Sequence, residues 1–270
     1  VIDGVKYLVA VASGKGGVGK STVTANLALA LAAQGHRVGI LDADIYGPSQ
    51  AQMFGFEADV KPQTQDGKSF DPLEQYGIQL MSMAFLTTDK TPMVWRGPMA
   101  SGAFQQLLTQ TRWQGLDILL IDMPPGTGDI QLTLAQKSQV DGAVIVTTPQ
   151  NIALLDAQRG IEMFRKVNVP VLGVVENMSL HECSACGHHE PIFGEGGGAR
   201  IAQSYDTQLL GQLPLASHIR AEGDEGRPSV LASPESTTAN VMRQIAANVW
   251  QQLIEGAGEQ DSGPVVTFSP

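Results

Sequence analysis

Short apolar runs alternate along this chain with longer segments whose apolar residues recur every three or four positions. Residues 5–12 are the first such run and read as a buried strand. Residues 20–34 follow, with Val23, Leu27 and Leu31 at helical spacing and Gly35 as a helix stop. Residues 37–41, 78–83, 117–122, 142–148, 169–176 and 209–213 are the further strand candidates. Helices are expected from Trp95 to about Gln110, near 130–137, over 152–166, near 199–205 and near 234–254. In the last of these Val241, Ile245, Val249, Trp250 and Leu253 would face the core. Residues 50–77, punctuated by Pro62, Gly67 and Pro72, show no period and read as a surface insertion. Strand, helix and strand in succession with short connections form βαβ units, which wind right-handed. The pattern therefore predicts an α/β fold: a doubly wound, mostly parallel sheet with helices on both faces. No internal repeat or second domain is visible. One domain is expected over 1–255, with 256–270 as a flexible tail.

Composition narrows the class. The 270 residues are 43% hydrophobic and 16% charged, enough apolar material for a large core. A formal net charge of −10 and the lack of any basic run argue against a nucleic-acid partner. No apolar stretch is long enough to span a bilayer, and residues 1–8 do not have a signal-peptide layout. The chain begins at Val1 rather than methionine, as expected of a trimmed chain. Its two cysteines lie three positions apart, which cannot staple a fold of this size. They read as a metal or redox pair in a reducing compartment, with the cytoplasm expected.

The junction of the first strand and helix carries the strongest motif. Gly14, Gly19, Lys20 and Ser21 fit the phosphate-loop pattern G-x-x-x-x-G-K-[ST]. The whole loop, Gly14, Lys15, Gly16, Gly17, Val18, Gly19, Lys20, Ser21 and Thr22, can curl so that backbone N–H groups face phosphate oxygens. The helix adds its unpaired N–H groups and the positive end of its dipole. Lys20 would reach the β- and γ-phosphates of ATP, and Ser21 would give an oxygen to Mg2+. Lys15 is not needed to hold a nucleotide in its own subunit. The arrangement resembles the deviant phosphate loop of the MinD, ParA and nitrogenase iron-protein group. That resemblance implies a lysine reaching across a dimer interface; the alternative is a solvated loop lysine.

Carboxylates close two later strands. Asp42 and Asp44 stand at the carboxyl end of the second strand, where open α/β sheets bind ligands. They would order a magnesium-bound or attacking water, or else cap a turn. Asp122 closes the strand over 117–122 and would hold magnesium through water. Gly126 beyond it would offer an N–H to the γ-phosphate. Asn177, at the end of the strand over 169–176, could pair with an adenine edge, and Pro214 could line the base pocket. Arg96 could touch phosphate or simply lie on the surface. Methionines near 81–83 read as core filler.

Cys183 and Cys186 form a C-x-x-C pair flanked by His181, His188 and His189. A zinc site could take both thiolates and two histidines. An iron–sulfur cluster wants about four thiolates, which a symmetric dimer would supply from two chains. Free thiols are the remaining reading.

Taken together, Gly14–Thr22, Asp42–Ser49, Trp95–Met99, Asp122–Asp129, Glu176–Ser179, Cys183–Cys186 and Gly194–Gly198 resemble the Mrp/ApbC group of iron–sulfur cluster carrier ATPases. The C-x-x-C after the Asn-Met-Ser strand end separates this group from MinD-like relatives. The resemblance implies a homodimer in which Cys183 and Cys186 of each subunit bridge one 4Fe–4S cluster. It implies ATP on the phosphate loop with Lys15 and Lys20 at its phosphates, and Ser21 and Asp122 serving Mg2+. Asp44 would position the hydrolytic water, and Asn177 would bind the base. The expected partners are cluster scaffold proteins and apo iron–sulfur proteins, with no nucleic acid and no membrane. Bacterial members often carry a small N-terminal domain, so roles that depend on it are not expected of these residues. Two other functions fit parts of the pattern: a zinc-stabilised nucleotide switch, and a partitioning ATPase of the MinD or ParA kind. The latter calls for a basic amphipathic tail or basic patch, which the sequence does not offer.

Overall fold

The computed structural model describes residues 2–86 and 97–261. Arg96, read above as a possible phosphate contact, lies outside the described residues, as does the tail beyond residue 261. In chain order the elements are β1 (Val5–Ala12), α1 (Lys20–Ala33), β2 (Val38–Asp42), α2 (Gln50–Met53), β3 (Leu73–Gln75), β4 (Ile78–Ser82), α3 (Gly97–Gln110), β5 (Leu116–Asp122) and α4 (Asp129–Ser138). They continue with β6 (Gly142–Thr147), α5 (Asn151–Lys166), β7 (Val171–Glu176), β8 (His181–Glu182), β9 (His189–Glu190), α6 (Gly197–Ser204), β10 (Leu209–Gln212), α7 (Ser217–Asp224), α8 (Ser229–Ala232) and α9 (Thr237–Asp261).

Eight strands make one sheet in the order β10-β7-β6-β1-β5-β2-β4-β3. Every pairing is parallel except that of β3 with β4. β1 sits between β5 and β6: β2 to β5 lie on one side of it, and from β6 onward the chain builds on the other. Ligands of open α/β sheets bind at such a switch of direction. Alternation along β1 divides the core. Leu8, Ala10 and Ala12 face a layer built with α3, α4, α5 and α6; Val9 and Val11 face α1, α8 and α9. α1 is buried almost throughout, including Ala25, Leu27, Ala28, Leu29, Ala30 and Leu31. It lies between the sheet on one side and α8 and α9 on the other, so it shows no single apolar stripe.

Besides α7 and α8, which the pattern does not predict, several features differ from the expectation. The stretch 50–77 is not wholly irregular, because it carries α2 and β3. The cysteine loop is a two-stranded antiparallel hairpin of β8 and β9. α9 runs to Asp261, past the tail boundary expected at 256. A glycine inside a helix costs only about 1 kcal/mol, and Gly256 and Gly258 are interspersed with Glu255, Ala257, Glu259 and Gln260, which tolerate helix well. Among the described residues no helix is long and apolar enough to cross a membrane.

Candidate functional site

The carboxyl ends of β1, β2, β5 and β7 converge on the loop between β1 and α1. Its glycines are required for different reasons. A Cβ on Gly14 would lie 2.1 Å from the carbonyl oxygen of Asp156, so this position packs directly on α5. Gly19 has a φ of 82°, and a Cβ there would also meet the Asn177 amide nitrogen at 2.3 Å. The Ser13 hydroxyl donates to the Lys15 carbonyl at 2.8 Å and stiffens the turn. Lys15 is half-buried, Gly16 and Gly17 are exposed, and Val18 is buried beneath the loop.

Lys20 is almost fully buried, at 5% exposure, and its ammonium is surrounded by carboxylates. It forms an ion pair with Asp122, lies 3.9 Å from Asp44 Oδ2 and donates to the Ser21 hydroxyl at 3.2 Å. Asp122 also accepts from Gln50 Nε2 at 2.8 Å and from the Thr24 hydroxyl at 3.4 Å. Asp42 and Asp44 both cap the turn that follows β2, and only Asp44 also turns an oxygen toward Lys20. Asp44 Oδ1 accepts the N–H groups of Tyr46 and Gly47 at 3.1 Å, while Oδ2 faces Lys20. Asp42 Oδ2 accepts from Ser49 and Gln50 at 2.9 and 3.0 Å, and Oδ1 from Asp44 at 3.2 Å. Burial and the nearby Asp122 carboxylate push Asp42 up to about 7, against the lowering effect of Gln50 N–H and Lys20.

The donor set fits magnesium. This ion needs one or two carboxylates, with phosphate and water filling the remaining positions. Asp122 is fully buried, the Ser21 hydroxyl stands beside the same ammonium, and Gln50 Oε1 is a buried acceptor with no partner. Gly126 is a different matter. Its N–H, expected to meet a γ-phosphate, donates to the Ser13 carbonyl at 2.9 Å. That bond would have to open first.

Beside the loop lies a cavity of about 500 Å3, lined in part by Gly19, Thr22, Asn177, Met178, Pro214 and Ile219. It places Asn177 and Pro214 together, next to the loop. The Asn177 amide donates to the Val18 carbonyl at 2.9 Å, so part of its hydrogen-bonding capacity already tethers the loop. α7 supplies Ile219, Arg220, Gly223 and Asp224 to the same wall. The sequence pattern does not predict this helix, because its eight residues include only two apolar side chains, Ile219 and Ala221, too few for a helical period to register.

The cysteine hairpin leaves β7 through Asn177. Cys183 is half-buried and Cys186 exposed, and both are free thiols. Cys183 N–H donates to the His188 carbonyl at 2.9 Å, and Gly187 N–H to the Cys183 carbonyl at 2.8 Å. The N–H groups of Ala185 and Cys186 and the Cys186 side chain hold the Cys183 thiol below its usual range. Among the described residues no group of three or more His, Cys, Asp or Glu side chains is placed to hold a metal ion. The zinc alternative, with two of His181, His188 and His189 joining the cysteine pair, therefore finds no such cluster among the described residues. The hairpin is strapped to the cavity wall. Leu215 N–H donates to the Leu180 carbonyl at 2.8 Å, Glu182 N–H donates to the Leu215 carbonyl at 3.2 Å, and His181 bridges in parallel to Leu215.

A glycine-rich loop leading from a central strand into a helix, backed by carboxylates at two neighbouring strand ends, defines a P-loop NTPase. The family model described as ParA, NUBPL iron-transfer P-loop NTPase, matches residues 4–250, and the chain belongs to this family. It is 64% identical over 242 residues to an iron–sulfur cluster carrier protein of Pseudomonas fragi, covering 90% of this chain and 84% of that one. It is 50% identical over 254 residues to the iron–sulfur cluster transfer protein NUBPL of Mus musculus, covering 93% and 79%. Among solved structures it is similar to a nucleotide-binding protein of Archaeoglobus fulgidus in complex with ADP. The TM-score is 0.74 at 41% identity, covering 83% of this chain and 88% of that one. The cell division ATPase MinD of Pyrococcus furiosus shares the fold, with a TM-score of 0.67 at 22% identity over 91% and 98% of the two chains.

Proposed function

We propose that the chain is an ATP-hydrolysing iron–sulfur cluster carrier of the cytoplasm. It works as a homodimer that holds a 4Fe–4S cluster between the cysteine pairs of two subunits and passes it to apo-proteins. The observation that carries this reading is the strap at Leu215. One backbone segment is both a wall of the cavity beside the phosphate loop and the neighbour of the two-thiol hairpin. A pair of thiolates is half of a cluster's ligand set, and a second chain supplies the rest. Tyr46 and Ile152, 65% and 69% exposed, follow the ends of β2 and β6 at the nucleotide edge and offer apolar surface to that second chain.

In this reading the triphosphate competes with Asp122 for the Lys20 ammonium. Phosphate contacts draw Lys20 away, which leaves the Asp122 carboxylate and Ser21 hydroxyl for Mg2+. The ion would neutralise charge on the phosphates. Asp44, held by its own turn, keeps Oδ2 toward the site to orient the attacking water, and Lys15 reaches the partner's nucleotide. Asn177 and Pro214 bound the base. Different nucleotide affinity for the cluster-holding and cluster-releasing arrangements would shift the dimer between them. Scaffold proteins would load the hairpin and apo iron–sulfur proteins would unload it.

Anaerobic reconstitution with iron and sulfide tests the cargo. The wild-type chain should gain a broad visible charge-transfer absorption, with about four iron and four sulfide per dimer. The Cys183→Ala, Cys186→Ala double variant should gain neither. An absorption that survives both substitutions would falsify bridging by this pair. Tightly held zinc that also depends on the histidines would favour a zinc-stabilised switch instead.

A further inference from the structure

We propose that Gln50 is a positioning residue for Asp122, fixing which carboxylate oxygen is available to magnesium at the nucleotide's phosphates. The proposal rests on the ATPase reading above. Gln50 opens α2, a four-residue helix in a stretch without periodicity, yet it has no exposed surface. A buried glutamine needs a reason, because its amide must be hydrogen-bonded to offset its desolvation. Its Nε2 donates to Asp122 Oδ2 at 2.8 Å and to the Ser21 carbonyl at 2.9 Å. Its backbone N–H donates to Asp42 Oδ2 at 3.0 Å. One residue thereby ties together the ends of β2 and β5 and the start of α1.

The orientation of the amide follows from its neighbours. Asp122, paired with the Lys20 ammonium, and the Ser21 carbonyl are both acceptors, so the NH2 end must face them. Asp122 Oδ2 is thereby occupied, and Oδ1 is the oxygen paired with Lys20. When phosphate draws Lys20 away, Oδ1 loses its ion pair and keeps only the long contact from the Thr24 hydroxyl at 3.4 Å, while Oδ2 stays held. A carboxylate fixed in this way presents one oxygen in one direction, which suits the strict octahedral geometry of magnesium. Gln50 Oε1 remains a buried acceptor without a partner, able to accept a hydrogen bond from water on a hydrated ion.

The test is ADP binding by calorimetry in Mg2+ and in EDTA, on wild type, Gln50→Met and Gln50→Asn. Methionine keeps the length and burial but removes the donors. Asparagine keeps the amide one methylene short of its partners. Losing a hydrogen bond to a charged group should lower the ratio of affinity in Mg2+ to affinity in EDTA by about tenfold in both variants. In an Asp122→Asn background Gln50→Met should change that ratio little further, because Gln50 acts through Asp122. Thermal melts establish that each chain is folded before its ratio is read, and Gln50→Asn stands in if Gln50→Met does not fold. Equal loss of affinity in Mg2+ and EDTA would assign Gln50 a purely structural role and overturn the proposal. So would an undiminished effect in the Asp122→Asn background. Wild-type affinity that ignores Mg2+ would instead overturn the magnesium assignment of Asp122 and this proposal together, leaving the cluster-carrier reading to its own test.

Discussion

Asp42 has no contact with solvent and accepts backbone N–H groups from Asp44, Ser49 and Gln50. Those bonds favour its charged form, yet burial and the Asp122 carboxylate outweigh them and place it at about 7, against 3.8 for an ordinary aspartate. Between these two values the folded chain keeps a proton that the unfolded chain has lost. Stability from this group is therefore highest below 3.8, and it falls as pH rises through the window toward about 7. Asp42→Asn removes the titration and also one acceptor oxygen, so the variant should melt lower than wild type. The gap between the two melting temperatures should be larger at pH 5 than at pH 8. Thermal melts at the two pH values check this; a gap that is constant or widens with pH would show that Asp42 stays ionised in the folded chain. The same side chain shows why a strand-end carboxylate is hard to read in a sequence. Asp42, Asp44 and Asp122 look alike there, and only the backbone around each separates a turn organiser from a residue facing Lys20.

The hairpin and the cavity wall share Leu215, and this sets a prediction for the elements. ADP in the cavity should steady residues 213–216 and, through the bonds from Leu215 and Glu182, the hairpin as well. Hydrogen exchange at Glu182, Cys183 and Leu215 should slow by about tenfold when ADP binds, a shift on the scale of one hydrogen bond. Leu215→Pro removes the N–H that reaches Leu180. In that variant, bound ADP should no longer slow exchange at Glu182 and Cys183. If it still does, the two sites communicate by another route. Much of this architecture was legible in advance. β1, the phosphate loop and α1 follow from an apolar run, spaced glycines and a helical period. β5 and β6 follow from short apolar runs, and the C-x-x-C spacing marked Cys183 and Cys186. The missing pieces are those whose signal is weakest. β8 and β9 have two residues each, and β3 has three, too few for alternation to register. α7 is short and offers only Ile219 and Ala221 as apolar residues, and Gln50 breaks the rule that polar residues in an aperiodic stretch lie outside. The strap itself is a backbone pairing between segments more than thirty positions apart, which no local pattern encodes.

At the scale of the whole molecule, two requirements lead to the same partner. In the proposed function Lys15 would serve the partner's nucleotide, and the two thiolates would be half of a cluster's ligand set. A second copy would meet both, but each copy carries a formal charge of −10. Long-range repulsion should therefore oppose association and be screened by salt, over a Debye length of about 10 Å at 0.1 M. Sedimentation of the nucleotide-bound chain should show dimerisation strengthening as ionic strength rises from low to moderate. Lys15 brings positive charge to the nucleotide edge, where the phosphates of a facing subunit would lie. Lys15→Ala removes that charge and should weaken the ATP-dependent dimer by about tenfold, the size of one charge-assisted contact. It should also blunt the effect of ATP on release of the reconstituted cluster to an apo-protein. ATP binding measured on dilute monomer separates this from damage to the subunit's own site. A Lys15→Ala chain that binds ATP, dimerises and releases its cluster as wild type does would make Lys15 an ordinary loop lysine. Loss of ATP binding by the dilute monomer would place Lys15 on its own subunit's nucleotide. Weakened dimerisation and release, with monomer binding retained, would link the phosphate loop to the cysteine pair through the second chain.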